Sequence, residues 1–343
     1  MPVIQDTTLW LIVIWFVVIS IVAAVMTVRD KRAARSKSRR ISEGALFAVA
    51  LAGGAAIMFV TMGLIRHKTK HMRFMLVLPV MLLLQAVFFY WFNTYTLRTT
   101  WLEIEDRRIR NEITIVQLTD LHGASFGRDN ARLLSRIARI NPDVVLITGD
   151  MWTRGADDDG VETAVRLLND LGEKYPLYVT DGGHDGYISV LIETNRINAT
   201  FLNYETAELT IGDTAIAIHG VPEKYYRESA AFDLSHHLEL DRSVYNVLIA
   251  HEARFQEFRE LGADLSLVGH THGGIVRLPL IGTVYHRSGW FIELREMRDM
   301  YGFFEDEPGG AKLFISAGLG LHPEPVRLFN RPEVVAIRLK PPR

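Results

Sequence analysis

Three long apolar runs lie within the first hundred of 343 residues: Leu9–Val28, Ala45–Ile65 and Phe74–Phe92, none containing Asp, Glu, Lys or Arg. Each has about the twenty residues needed to cross a bilayer as a helix. In lipid the helix is the form that satisfies its own backbone polar groups within one segment. A cleaved signal peptide does not fit, because the first run is too long and Met1–Thr8 has no Lys or Arg. Gly53-Gly54-Ala55-Ala56 lets the second helix pack closely on a neighbour. Tyr90, Trp91, Tyr95 and Trp101 read as an interfacial aromatic belt. The expectation is a membrane domain over 1–95 with three transmembrane helices.

The basic residues set the expected orientation. Arg29, Lys31, Arg32, Arg35, Lys37, Arg39 and Arg40 follow the first run, and Arg66, Lys68, Lys70 and Arg73 follow the second. Arg98, Arg107, Arg108 and Arg110 follow the third. With three straight spans the first loop and the segment after the third run share a face. Placing that face inside gives an integral membrane protein of a bacterial cell membrane with its soluble part facing the cytoplasm. The second basic loop then lies outside.

The remainder differs in character. Residues 1–100 hold 12 Lys/Arg and 3 Asp/Glu, which leaves 26 against 37 beyond them, a balance of −11. An acidic soluble part argues against nucleic acid as a partner, since that binding relies on a basic surface. Cysteine is absent, so disulfides and thiolate metal sites are excluded, and any metal takes N and O ligands.

Five apolar strand-like runs in the soluble part each stop at an Asp or His. Ile113–Leu118 ends in Thr119-Asp120-Leu121-His122-Gly123, and Asp143–Thr148 ends in Gly149-Asp150. Leu177–Thr180 ends in Asp181-Gly182-Gly183-His184-Asp185, and Asn246–Ala250 ends in His251. Ala263–Val268 ends in Gly269-His270-Thr271-His272-Gly273-Gly274. Paired histidines just past a strand suit metal binding, and ligands of α/β sheets bind at the carboxyl ends of strands. Arg132–Ile140 and Val161–Leu171 have helical spacing between these strands, which gives α/β architecture. Thr96–Glu105 and Ile113–Leu118, joined by a polar turn, read as a hairpin in a 96–112 linker. The later strands Glu208–Ile211, Ala215–His219, Thr283–Tyr285, Lys312–Ile315 and Val334–Leu339 are expected in a second, mixed sheet.

The ordered set resembles the calcineurin-like metallophosphoesterase superfamily, whose pattern is D-x-H, G-D, G-N-H-[DE], H, G-H-x-H. The resemblance runs from Ile113 to Lys340 and includes Ser316-Ala317-Gly318-Leu319-Gly320 and Pro325-Val326-Arg327. It implies a two-sheet αββα sandwich over 113–343 and two divalent metal ions, Mn, Fe, Zn or Mg. Carried over residue by residue, Asp120, His122, Asp150 and His272 would hold the first metal. Asp150, His251 and His270 would hold the second. His184 would be general acid or phosphate contact, Asp185 would orient it, and Arg327 is a further substrate contact.

One position departs from the pattern. Gly183 stands where the family has an Asn whose amide oxygen binds the second metal. Water fills that place, or Asp181 or Asp185 reaches in, or the second site is impaired. Asp150 is also followed by Met151-Trp152-Thr153, without the aspartate that many relatives have three residues on. His67 and His71 are expected at the membrane interface, and His236 and His237 in solvent. His219, His286 and His322 are candidates for lining the site. Trp290, Phe291, Met297, Met300, Tyr301, Phe303 and Phe304 are expected mostly in the core.

The resemblance implies a membrane-anchored phosphohydrolase acting on a phosphomonoester, phosphodiester or pyrophosphate. The anchor and short linker favour an amphiphilic substrate, such as a phospholipid or a lipid-linked sugar nucleotide, met among membrane lipids. The alternative is a tethered metal- and phosphate-binding protein without turnover, motivated by Gly183. Ion transport ranks below both, because the spans show no buried acid in sequence.

Overall fold

The computed structural model describes residues 7–155, 157–227, 233–278, 281–286, 289–290 and 300–342. Phe291 and Met297 lie outside the described residues, as does the side chain of Trp290. The chain divides into two units, Gln5–Phe92 and Asn93–Arg343.

The first unit contains helices α1 (Thr7–Arg35), α2 (Glu43–Val49), α3 (Ala55–Leu64) and most of α4 (Met72–Tyr95). Among the described residues, three helical segments are long and apolar enough to cross a membrane: Val13–Arg35, Glu43–Leu64 and Met72–Tyr95. The middle one is broken. A π-type turn, Ala50–Gly54, joins α2 to α3, and Gly53 within it sits at φ 124° and ψ −6°. A left-handed residue of this kind is tolerated only by glycine. The break frees backbone carbonyls, which lipid cannot satisfy. Gln85 Nε2 donates to the oxygens of Ala50 (2.7 Å) and Leu51 (3.2 Å), and Trp15 Nε1 donates to that of Ala52 (2.9 Å). The glycine pair also packs as expected, since a Cβ at Gly54 would lie 2.7 Å from the Ala23 Cβ.

One expectation for the loops is corrected here. His67 is buried, and its Nε2 lies 2.8 Å from Asp30 Oδ2. The two basic loops do not sit apart. The same Asp30 carboxylate accepts from the Ile41 N–H (3.1 Å) and pairs with Lys68 Nζ (3.2 Å). Asp30 is itself a buried acid, which the uncharged runs had not signalled.

The second unit is an αββα sandwich, as expected. Its elements in order are β1 (Arg98–Glu105), β2 (Ile113–Leu118), α5 (Ala131–Ile140), β3 (Val144–Thr148), α6 (Asp158–Gly172), β4 (Leu177–Thr180), α7 (Ile188–Glu193) and β5 (Thr200–Phe201). There follow β6 (Thr206–Ile211), β7 (Thr214–Val221), β8 (Tyr245–Ala250), α8 (Phe255–Leu261), β9 (Leu265–Val268), β10 (Val276–Leu278), β11 (Gly282–His286) and β12 (Gly289–Trp290). The last are β13 (Gly302–Glu305), β14 (Lys312–Ile315) and β15 (Glu333–Lys340). One sheet runs β1-β15-β2-β3-β4-β5 and the other β13-β14-β9-β8-β7-β6, with β10-β11-β12 as a small third sheet.

Alternation along β2 shows how the layers form. Ile113 and Ile115 join the core between the sheets, with Val247, Ile249, Leu265 and Phe314 opposite. Val116 and Leu118 face the other way, onto Leu133 and Ile137 of α5 and Leu168 of α6. Successive strand residues point to opposite faces, so both faces of this strand are covered by apolar layers. Gln117, on the inter-sheet face, donates to Val268 O of the second sheet and to Thr148 Oγ1, both at 3.0 Å. It ties the two sheets together at the strand ends that carry the site.

The hairpin expected from Thr96–Glu105 and Ile113–Leu118 does not form. β15 lies between β1 and β2, parallel to the first and antiparallel to the second. The same fact moves Val334–Leu339 from the second sheet to the first. The strand is apolar on both faces, so it fits a central position, which sequence order alone does not reveal.

Candidate metal centre

The carboxyl ends of β2, β3, β4, β8 and β9 bring together Asp120, His122, Asp150, His184, His251, His270 and His272. Among the described residues, two groups of carboxylate and imidazole atoms are close enough to share an ion: Asp120, His122 and His272, and Asp120, Asp150 and His251. The chain turns sharply at each strand end, and five of these residues have left-handed backbone: Asp120 (φ 51°), His122 (48°), Asp150 (56°), His270 (68°) and His272 (52°). Non-glycine residues adopt it at a cost of about 1–3 kcal/mol each. Two glycines make room. A Cβ at Gly269 would fall on Thr119 Oγ1 and Asp120 Oδ2, and one at Gly182 on Asp150 Oδ1. Gly269→Ala should therefore displace the Asp120 carboxylate and remove metal from the purified protein, as metal analysis would read; a full complement would contradict this packing.

Two pairs of imidazole nitrogens face each other. His122 Nε2 and His272 Nε2 are 3.1 Å apart, and His270 Nδ1 and His251 Nε2 are 3.3 Å apart. Such approaches are held by a shared proton or a shared cation. Asp150 Oδ2 lies between the pairs, 3.6 Å from His122 Nε2 and 3.2 Å from His251 Nε2. Asp120 Oδ1 lies 3.4 Å from His272 Nε2. The rear of His251 is fixed, with Nδ1 2.8 Å from Thr148 O, which leaves Nε2 as the ligating atom.

The electrostatics suit a cation. Burial pushes His122 down to about 3 and holds His272 well below an ordinary imidazole, so both present neutral nitrogens. Burial and the neighbouring Asp150 push Asp120 up to about 6, against the pull of His251. Burial would also raise Asp150, but the charge of His251 holds it below the usual carboxylate range. Burial disfavours charge on His251, yet Asp150 and Asp120 together raise it to about 10. That lies above the unperturbed 6.5, so its contribution to metal-free stability is full below pH 6.5 and lost as pH rises through 10. Metal binding at pH 8 should accordingly release about one proton from His251. Binding heats in two buffers of different ionisation enthalpy would show it, and equal heats would refute it.

Residues 113–274 match the family model described as calcineurin-like phosphoesterase. The chain carries a calcineurin-like phosphoesterase domain. It is 25% identical over 285 residues to an uncharacterized metallophosphoesterase of Campylobacter jejuni, covering 80% of this chain and 73% of that one. Another uncharacterized metallophosphoesterase, from Aquifex aeolicus, is 24% identical over 72% of this chain and 94% of its own. A Danio rerio protein described as a transmembrane protein with metallophosphoesterase domain is 23% identical, over 67% of this chain and 54% of its own. Residues 20–74 match a second model, described as a protein of unknown function (DUF1294).

Within the phosphoesterase domain two expected roles are corrected. Asp185 does not touch the His184 ring. It is fully buried, and its carboxylate accepts from the N–H groups of Met151 (2.7 Å), Gly182 (3.1 Å) and Trp152 (3.4 Å). It therefore ties the loop after β4 to the loop after β3. Arg327 is not among the residues lining the pocket either. Buried, it donates to Ala317 O (2.7 Å) and Gly320 O, and lies 3.3 Å from His272 Nδ1. Its side chain braces a metal-site histidine and the Ser316–Gly320 turn.

His184 lines the pocket. Its N–H donates to Asp150 Oδ1 (2.9 Å), and its Nδ1 accepts from the Arg154 N–H (2.9 Å). In the neutral ring, favoured because burial lowers its pKa, the proton then sits on Nε2. His322 and His286 line the same pocket, the former stacked on His122 with ring centroids 4.6 Å apart. His219 does not: it bonds Thr206 and Asn246 between strands.

Three charged pocket residues carried no sequence signal. Arg154 donates to Gly183 O, Glu223 follows β7, and Glu252 Oε1 lies 3.8 Å from His270 Nε2. A Cβ built on Gly183 would lie 3.4 Å from Glu223 Oε1, so this carboxylate fills the space next to the missing side chain. The other proposed substitutes are occupied elsewhere: Asp185 as above, and Asp181 Oδ1 by the Glu223 N–H at 2.7 Å.

Proposed function

We propose that the protein is a membrane-anchored, metal-dependent phosphohydrolase for a phosphomonoester, phosphodiester or pyrophosphate. The observation that carries this reading is the pair of facing imidazole sets around Asp120 and Asp150. Asp120, His122, Asp150 and His272 would hold one divalent cation; Asp150, His251, His270 and Glu223 would hold the other. When bound, such ions neutralise phosphate charge and lower the pKa of coordinated water.

The chain's own groups supply the rest. His184 Nε2–H donates to a phosphate oxygen or to the leaving group, with its tautomer set by the Arg154 N–H. Arg154 adds positive charge at the pocket wall. Three apolar helices at the N-terminus favour an amphiphilic or lipid-linked phosphate over a nucleic acid. The Glu223 carboxylate next to Gly183 supports turnover over the tethered binding protein.

Metal content per purified chain, together with hydrolysis of bis-p-nitrophenyl phosphate with and without Mn²⁺, tests this. Two metals and Mn-stimulated turnover are expected; metal-independent inertness would favour the binding protein. His184→Ala should lower turnover by about 10²–10⁴-fold while metal content stays unchanged. Loss of metal instead would make His184 a ligand.

A further inference from the structure

A straight helix over the 22 residues Glu43–Leu64 would hold its flanking loops about 33 Å apart. Instead they meet. Glu43 Oε1, at the start of α2, lies 3.9 Å from Lys68 Nζ, just beyond α3. Asp30 bonds Ile41 on the entering side and His67 on the returning side. The break at Gly53 packs against Phe16 and Ile19 in the middle of α1, far from Asp30 near its C-terminal end. From Glu43 to Gly53 the helix descends about 15 Å, half of a hydrocarbon core of about 30 Å. The carbonyls opened there are covered by Gln85 and Trp15 rather than left to lipid.

We propose that 43–64 is a re-entrant helical hairpin that leaves the membrane by the face it entered, so that α1 and α4 alone cross. Both basic loops then share one face. It carries Arg29, Lys31, Arg32, Arg35, Lys37, Arg39, Arg40, Arg66, Lys68, Lys70 and Arg73, against Arg98, Arg107, Arg108 and Arg110 just beyond α4. The positive-inside rule places the loop face in the cytoplasm. α4 starts at that face and ends at Tyr95, and β1 begins at Arg98. The phosphoesterase domain is therefore extracytoplasmic, opposite to the orientation that three straight spans imply. Its substrates are phosphoesters presented outside the cytoplasm, which excludes the cytosolic nucleotide pool. The topology holds whether or not the centre turns over, and its test needs no activity.

The chain has no cysteine, so single introduced cysteines report without background. Ser36→Cys, Thr69→Cys and Asp213→Cys replace exposed residues in the first loop, the second loop and the β6–β7 turn. The full-length variants would be treated in spheroplasts with a membrane-impermeant maleimide. Asp213→Cys should label in intact spheroplasts, and Ser36→Cys and Thr69→Cys only after permeabilisation. Labelling of Ser36→Cys and Thr69→Cys from opposite faces would overturn the hairpin. Protection of Asp213→Cys in intact spheroplasts would overturn the orientation.

Discussion

Asp150→Asn should abolish metal-dependent hydrolysis and strip bound metal, with a loss well beyond the roughly 100-fold typical of groups that merely orient a ligand. The carboxylate is buried between the two imidazole sets and also accepts the His184 N–H. An amide of the same shape keeps one acceptor oxygen but lacks the negative charge that raises His251 and would offset the proposed cations. Because charge rather than volume changes, the fold should survive, and circular dichroism should match the parent. Wild-type turnover in this variant would remove Asp150 from the centre of the mechanism.

Glu223→Ala should weaken the second equivalent of metal by about 10–100-fold or more while leaving the first nearly intact. Asp120, His122 and His272 are close enough to hold an ion without Glu223, which approaches the site from the Gly183 side. The double variant Glu223→Ala/Gly183→Asn should recover much of the lost affinity. Gly183 is not in the left-handed region, and the neighbour that its Cβ would meet within 4 Å is the Glu223 carboxylate itself. Titration by calorimetry or metal-dependent melting would read both steps. An unchanged second equivalent in Glu223→Ala would show that the carboxylate lies beside the metal without binding it.

The residues of the centre were legible because ligands must be polar where strands are apolar. Asp120, Asp150, His251 and the His270/His272 pair stand out at the ends of hydrophobic runs for that reason. Their companions were not. Glu223 reaches Gly183 from the end of β7, forty residues away, and a Glu in a polar loop carries no mark of its partner. Asp185 and Arg327 were assigned by their place in a motif, yet backbone N–H and C=O groups claim their side chains. Such backbone partners depend on how the loops turn, here through left-handed residues at five ligand positions. The helices α5 and α6 and the strands around the site follow their periodicity closely, whereas the insertion of β15 between β1 and β2 is a tertiary choice. The path of the middle apolar segment was not legible for a related reason. Hydropathy and length measure whether residues suit lipid, and a hairpin of lipid-facing helices passes that measure as well as a straight span.

The broken helix has a consequence for how the protein is made. Its open carbonyls at 50–52 are partnered by Trp15, synthesised before them, and by Gln85, synthesised well after. While the chain is still emerging, the turn has only one of its two partners, and Ala50 and Leu51 wait for a side chain some thirty-five residues downstream. Completion of α4 is thus the step that locks the fold-back.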